Sequence, residues 1–411
     1  MAHSEATMPS LGAKSDALVQ QSESFGAHNY HPLPVVIATA KGVWVEDPEG
    51  RRYMDFLSAY SAVNQGHRHP KIIGALKAQA DRCTLTSRAF YNDKMGDFLE
   101  KLCRYTGYEM ALPMNTGAEA VETALKMARM WGHKVKGVPD GKQEIICVEE
   151  NFHGRTITII SFSTDPDAKK CYGPWTPGFT VIPYDDAQAL ERAITPNTVA
   201  FLVEPIQGEA GVHVPSEGYL RQVREICTKH SVLMIADEVQ TGFCRTGKKF
   251  ACDHEGVRPD AMCLGKALGG GVFPVSAVVA DRKALGVFTP GTHGSTFGGN
   301  PLGAAVAIAA LEVLEEEKLD QRAEELGELV RSELKKISCP KITQVRGKGL
   351  LNAVVFEEGF EAWDVCVALK EKGLLAKQTH GNIIRFAPPL VITRDEVMHA
   401  IGIIREVFTA I

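Results

Sequence analysis

Along the chain, short apolar runs closed by turn residues alternate with longer stretches whose apolar positions recur every three or four residues. The short runs are 144–148, 179–183, 199–204, 232–237, 261–264 and 275–280. They are too short for core helices and too evenly apolar for a half-solvated sheet. They predict strands buried on both faces of a parallel or mixed sheet. Helical periodicity predicts helices over 70–82, 93–104, 117–133 and 219–229, which gives βαβ order. Two β-prone pieces around Asp47-Pro48-Glu49-Gly50 predict a hairpin over 42–56.

The texture changes after Asn300-Pro301. An alanine-rich helix (302–314) leads to a charged one (319–337), then to strand-like pieces at 349–356 and 383–386 and helices at 361–372 and 394–409. The fold class expected is α/β, a large domain with a mostly parallel central sheet plus a smaller α+β domain. The expected partition is a flexible N-terminus (1–29), a segment packing with the small domain (30–60), the large domain (61–301) and the C-terminal small domain (302–411).

Composition narrows the classes. With 45% hydrophobic and 23% charged residues the chain is an ordinary globular one. A net charge of −5 supplies no basic field for nucleic acid or anionic lipid. No apolar run approaches the roughly 20 residues of a membrane helix. The ten cysteines are scattered without a CxxC pair, as free thiols of a reducing compartment would be. The first thirty residues have no apolar core of a secretory signal and carry acids that a transit peptide avoids, so the chain reads as cytoplasmic.

In open α/β sheets ligands bind beyond the carboxyl ends of the strands, so the residues that follow each apolar run are the candidates. Asp237 follows one run directly, a costly place for an acid unless a cation or donor meets it. Lys266 sits between apolar residues and glycines in Leu264–Gly271. A desolvated lysine there has a lowered pKa and a nucleophilic amine. The helix start at Thr116-Gly117-Ala118 and the glycine-rich turn around Ser295 and Thr296 offer backbone donors for a phosphate. Phe152, His153 and Arg155 follow another run and offer a stacking ring and a guanidinium for a carboxylate. Together these are the parts of a pyridoxal 5'-phosphate site. His67 and His69 lack a third clustered ligand or an HExxH pattern, so no metal is expected.

From about Tyr30 onward the chain resembles the class III aminotransferases of the fold type I pyridoxal-phosphate enzymes. The resemblance rests on GAHNYHPLPVV, DFLSAYSAVNQGHRHP, MNTGAEAVETALK, VEPIQGEAGV, ADEVQTGFCRTGK, LGKALGGG and HGSTFGGNPLG. Within that family it is most similar to the branch that acts on the distal amine of L-ornithine. The resemblance implies that Lys266 carries the cofactor as a Schiff base and shuttles the proton. It implies that Asp237 pairs with the ring nitrogen, Gln240 with the ring hydroxyl, and that Phe152 and Val239 flank the ring. Thr116, Gly117, Ala118 and His153 belong to the same cofactor set, while Ser295 and Thr296 come from the second subunit of a homodimer. Arg155 would hold the far carboxylate, and Arg385 the α-carboxylate of 2-oxoglutarate. Glu209 would silence Arg385 when ornithine is bound, with Tyr30 and Tyr60 at the substrate's α-amino end.

His153 stands where animal relatives tend to carry tryptophan and where acetylornithine aminotransferases often carry histidine. The alternatives are an ω-aminotransferase for N-acetylornithine or 4-aminobutyrate and, from another class, a cofactor-free Schiff-base lyase that would use Lys266 alone. Cys147 and Cys171 are a candidate redox pair beside the Phe152–Arg155 turn.

Overall fold

A computed structural model describes residues 10–411. Its centre is a seven-stranded sheet in the order Met110–Met114, Ser276–Ala280, Ala261–Leu264, Leu233–Asp237, Thr198–Val203, Glu144–Val148, Phe179–Ile182. Only Ser276–Ala280 runs against the others, pairing antiparallel with both neighbours. Side chains along these strands alternate between two cores. Ile146, Val148, Phe201, Val203, Met234 and Ala236 enter one, while Ile145, Cys147, Ala200, Leu202, Leu233 and Ile235 enter the other. Both faces are covered by helices, which is why the strands read as continuous apolar runs.

The helix Gly117–Trp131 packs on one face against strands 261–264 and 276–280. On the other face, Pro301–Glu316 packs on Pro70–Ala80 and Met95–Thr106. Strand Met110–Met114 is not foreseen by the sequence reading, because Pro113 breaks the β pattern. It lies at the sheet edge, where a missing N–H is tolerated.

A second sheet, antiparallel, takes the order Ile342–Lys348, Leu351–Phe356, Ile383–Phe386, Lys377–Thr379. The outer two strands are short or polar and half-exposed, so their pattern is weak in sequence. The N-terminal hairpin Trp44–Glu46 with Arg52–Asp55 pairs through its second strand, in parallel, with Leu374–Leu375. That pairing ties the two ends of the chain together.

The expected flexible N-terminus lies partly outside the described residues (1–9). Residues Ala13–Phe25, however, form a helix rather than an irregular segment. Its first turn is capped from a distance: Glu49 Oε1 accepts the N–H groups of Lys14 and Ser15, at 3.0 Å each. A cap lent by the hairpin turn leaves no local signature. Among the described residues, no helix is long and apolar enough to cross a membrane.

Arg245 joins the parts. Fully buried, it donates Nε and Nη2 to Asn64 Oδ1 (3.2 and 2.6 Å) and Nη1 to the carbonyls of Leu350 (2.9 Å) and Pro388 (2.7 Å). With no carboxylate in that set, burial pulls its pKa down to about 9. Arg245→Met would leave three buried acceptors unmet. It is expected to lower stability by about 3 kcal/mol or more, at ~1–3 per orphaned group. A urea midpoint shows this directly, and a shift too small to measure would mean that the staple carries little.

Candidate active site

Five strands, 110–114, 144–148, 198–203, 233–237 and 261–264, end on the same edge of the central sheet. The residues that follow them line an inner cavity of about 200 Å³. Among these are Gly117, Phe152, Glu204, Asp237, Val239 and Lys266. It opens into an outer cleft of about 440 Å³ that adds Arg155, Thr379 and His380 and shares Phe152, His153 and Glu209.

Lys266 is half-buried on the wall of the inner cavity. Burial lowers its pKa, against the pull of Glu209 and Asp237, and thereby favours the free amine. Asp237 is fixed at both oxygens: Oδ2 meets His153 Nδ1 at 2.6 Å, and Oδ1 accepts the N–H of Val239 at 3.0 Å. Burial alone would lower the His153 pKa, but the hydrogen bond and charge of Asp237 outweigh it, so the imidazole is biased toward its cation.

At the other wall Thr116 caps the helix Gly117–Trp131, its Oγ1 accepting the Glu119 N–H at 3.2 Å while Glu119 accepts back from Thr116 N at 2.8 Å. The N–H groups of Gly117 and Ala118 have no intrahelical acceptor, as at any helix start, and both residues line the cavity. A Cβ on Gly117 would stand 2.9 Å from Val239 Cγ1, so only glycine leaves this wall flat.

Glu209 and Arg385 meet as the sequence reading expects, at 2.6 Å. Burial alone would raise the Glu209 pKa, but Arg385 overrides it and holds the carboxylate at about 2. Gln240 also donates to Glu209 Oε1, at 3.0 Å, and its own carbonyl oxygen is buried without a partner. The Arg385 guanidinium lies 5.3 Å from the centre of the Tyr60 ring. Tyr60 is held in a left-handed conformation (φ 59°) in the kinked turn that follows the N-terminal hairpin.

The remaining candidates are placed less centrally. Arg155 is exposed in the outer cleft, over the Phe152 ring at 5.5 Å. Tyr30 is 74% exposed and lines neither cavity, although its charge contributes to the raised pKa of Tyr60 after burial and Glu209. Ser295 and Thr296 also stay outside both cavities of their own chain, with Ser295 Oγ accepting from Asn115 Nδ2 at 2.9 Å. His67 pairs with Asp55 and His69 with Glu317, each at 2.8 Å. Cys147 is buried in its strand, where desolvation pushes its thiol pKa up, and Cys171 is exposed. Neither is in a disulfide.

Glu204 is a cavity-lining acid that the sequence reading did not single out. It ends strand Thr198–Val203 as Asp237 ends its own strand, so the same signal was present. Its Oε2 accepts the Phe152 N–H at 2.9 Å, and burial raises its pKa to about 8.

The site fits pyridoxal 5'-phosphate. His153 Nε2 and Gln240 Oε1 are buried polar atoms without partners. A desolvated lysine, a fixed carboxylate and a glycine-lined helix start converge with them on one small cavity.

These features define a fold type I pyridoxal-phosphate enzyme, and the chain belongs to the class-III aminotransferases, whose family model matches residues 25–408. It is 59% identical over 395 residues to the ornithine aminotransferase of Brevibacillus brevis, covering 96% of this chain and 98% of that one. The ornithine aminotransferase of Toxoplasma gondii superposes with a TM-score of 0.95 at 48% identity, over 96% and 95% of the two chains. An acetylornithine aminotransferase from Elizabethkingia anophelis does so with 0.88 at 53%, over 97% and 99%.

Because the folded-state pKa of Glu204 lies above its ordinary 4.5, its contribution to stability is complete below about 4.5 and is lost as pH rises through about 8. Glu204→Gln keeps the acceptor for Phe152 but cannot ionise. In cofactor-free protein its stability relative to wild type is expected to improve steadily between about pH 5 and pH 9 in urea titrations. A difference that is flat with pH would contradict the raised pKa.

Proposed function

We propose that the chain moves the δ-amine of L-ornithine to 2-oxoglutarate, releasing glutamate 5-semialdehyde and L-glutamate in two alternating half-reactions at one site. The observation that carries this reading is the Glu209–Arg385 pair at 2.6 Å. An aminotransferase for α-amines would want that arginine free for the α-carboxylate. One that must first accept a distal amine benefits from an arginine that is neutralised until a dicarboxylate arrives.

Pyridoxal 5'-phosphate, when bound, supplies the electron-withdrawing ring that stabilises charge at the carbon losing its proton, and it carries the amino group between the two substrates. Gly117 and Ala118 hold its phosphate through their N–H groups. Asp237, oriented by His153 and the Val239 N–H, would face the ring nitrogen and favour its protonated form. Phe152 and Val239 would flank the ring, and Gln240 would hold its hydroxyl. Lys266, desolvated and hence available as the free amine, holds and returns the proton at Nζ. Arg155 in the outer cleft takes the carboxylate remote from the reacting carbon, in a two-point fork suited to its planar group. Tyr60, with Tyr30 at the rim, receives the α-amino end of ornithine.

A second copy of the chain completes the site with its Ser295 and Thr296, which stay outside the cavities of their own chain. Residues 61–301 then form the cofactor domain, and 30–60 with 302–411 the smaller one. Ten cysteines with none in a disulfide suit a reducing cytoplasm.

Purified enzyme mixed with L-ornithine, N-acetylornithine or 4-aminobutyrate, and followed by cofactor absorbance, tests the assignment. Ornithine is expected to react fastest, and Lys266→Ala to slow it by at least about a thousandfold. Faster reaction with N-acetylornithine would reject the ornithine reading, and a colourless protein that still cleaves substrate would support the cofactor-free lyase.

A further inference from the structure

The turn that presents Glu209 is closed at its base by an antiparallel bridge between Gln207 and His213 (3.1 and 2.9 Å), and the N–H groups of Gly211 and Val212 meet the Gly208 carbonyl at 3.2 and 3.3 Å. Three of its carbonyl oxygens are also held by side chains of the C-terminal sheet. Arg385 Nη1 donates to Gly208 O at 3.2 Å, and Thr379 Oγ1 to Glu209 O at 2.7 Å. Arg346 donates twice to Gly211 O, through Nε at 2.9 Å and Nη2 at 2.7 Å.

The register of that sheet explains how two arginines reach the two ends of one turn. Arg346 lies opposite Ala353, and Ala353 lies opposite Arg385. Residues opposite one another on neighbouring strands point to the same face. Arg346 and Arg385 therefore stand in one row, two strand spacings or about 9.6 Å apart, with only a small alanine between them. Gly211 adopts φ 105°, which suits glycine, and a Cβ there would stand 2.6 Å from Ile383 Cδ1 and 3.2 Å from Arg346 Nη2. The guanidinium is half-buried. Burial pulls its pKa down and Glu150 pushes it back up, so a desolvated cation is committed to a backbone carbonyl.

Arg346 lines neither the inner cavity nor the outer cleft. We propose that it is a specificity-determining positioning residue: with Arg385 it forms a two-point ruler that sets the Gly208–Gly211 turn at the distance where Glu209 can neutralise Arg385. This rests on the reading of Glu209 and Arg385 as the substrate gate. Without the fork on Gly211, the turn keeps the Gln207–His213 bridge, its Gly208 end and Thr379 but its Gly211 end is released, and the Glu209 carboxylate, still met by Gln240, is held less firmly against Arg385. Arg385 is then available to an α-carboxylate, and α-amines gain at the expense of the δ-amine.

The test compares holoenzymes of wild type, Arg346→Met, Arg346→Lys and Glu209→Ala. For each, single-turnover kcat/KM is measured with L-glutamate as the α-amine donor and with L-ornithine as the δ-amine donor. Glu209→Ala reports the gate itself and is expected to raise the glutamate-to-ornithine ratio. Arg346→Met is expected to raise the same ratio about tenfold, the scale of one lost charge-assisted hydrogen bond. Arg346→Lys, which keeps the charge without the fork, is expected to fall between it and wild type. A merely structural role would slow both substrates alike. If Glu209→Ala shifts the ratio and Arg346→Met stays within about twofold of wild type, the positioning role is wrong and the gate stands. If neither shifts it, the gate reading fails and this inference with it. Should Arg346→Met not fold, Arg346→Gln is held to the same ratios.

Discussion

A carboxylate and a guanidinium 2.6 Å apart, the arginine only 5% exposed, are the constraint around which this active site is built. Burying either charge alone would cost several kcal/mol, so each requires the other or a substitute of the same sign. On the proposed reading that requirement makes the pair a discriminator, with Arg385 leaving Glu209 only for another carboxylate. The two residues are 176 positions apart, one on a turn after a central strand and the other in the C-terminal sheet. Holding them in register therefore needs the two sheets held in register. The buried Arg245 staple, the parallel pairing of Leu374–Leu375 with the N-terminal hairpin and the grip of the C-terminal sheet on the Gly208–Gly211 turn all serve that end.

The cofactor half of the site follows a different logic, in which strand ends supply the chemistry. Asp237 closes one buried strand, Glu204 follows another directly, the Phe152–Arg155 turn follows a third after three residues, and Lys266 follows a fourth after a single glycine. The low-dielectric surroundings that bury the strands also raise the Glu204 pKa and lower that of Lys266. Glu204, His153 and Asp237 lie on one side of the inner cavity as a connected electrostatic set, with the imidazole between two acids. In this arrangement Glu204 takes up the cost of burial by holding its proton.

Much of this was legible in the sequence because burial on both faces leaves a strong mark. Strands Glu144–Val148, Ala261–Leu264 and Ile383–Phe386 and helix Tyr219–Lys229 begin and end where their residue patterns do. Met110–Met114 was hidden by Pro113, Ile342–Lys348 by its polar, half-exposed composition, and helix Ala13–Phe25 by a cap donated from Glu49. For the site, strand-end logic reached Asp237, and the glycine-flanked setting reached Lys266. The same logic would have reached Glu204 had it been applied to every strand. The Glu209–Arg385 pair was out of reach of local pattern, since nothing near either residue announces the other. It came from resemblance, and Arg346 could be found only from the sheet register.

The proposed gate makes a thermodynamic demand that is independent of turnover. When a dicarboxylate takes Arg385, Glu209 loses the cation that holds its pKa at about 2, and burial drives that pKa upward. Isothermal titration of the holoenzyme with glutarate, an unreactive dicarboxylate, in buffers of different ionisation enthalpy measures the protons exchanged on binding. Net proton uptake in wild type that disappears in Glu209→Gln is the expected result. Binding without proton uptake in wild type, or uptake unchanged in the variant, would contradict the displacement of Glu209 from Arg385.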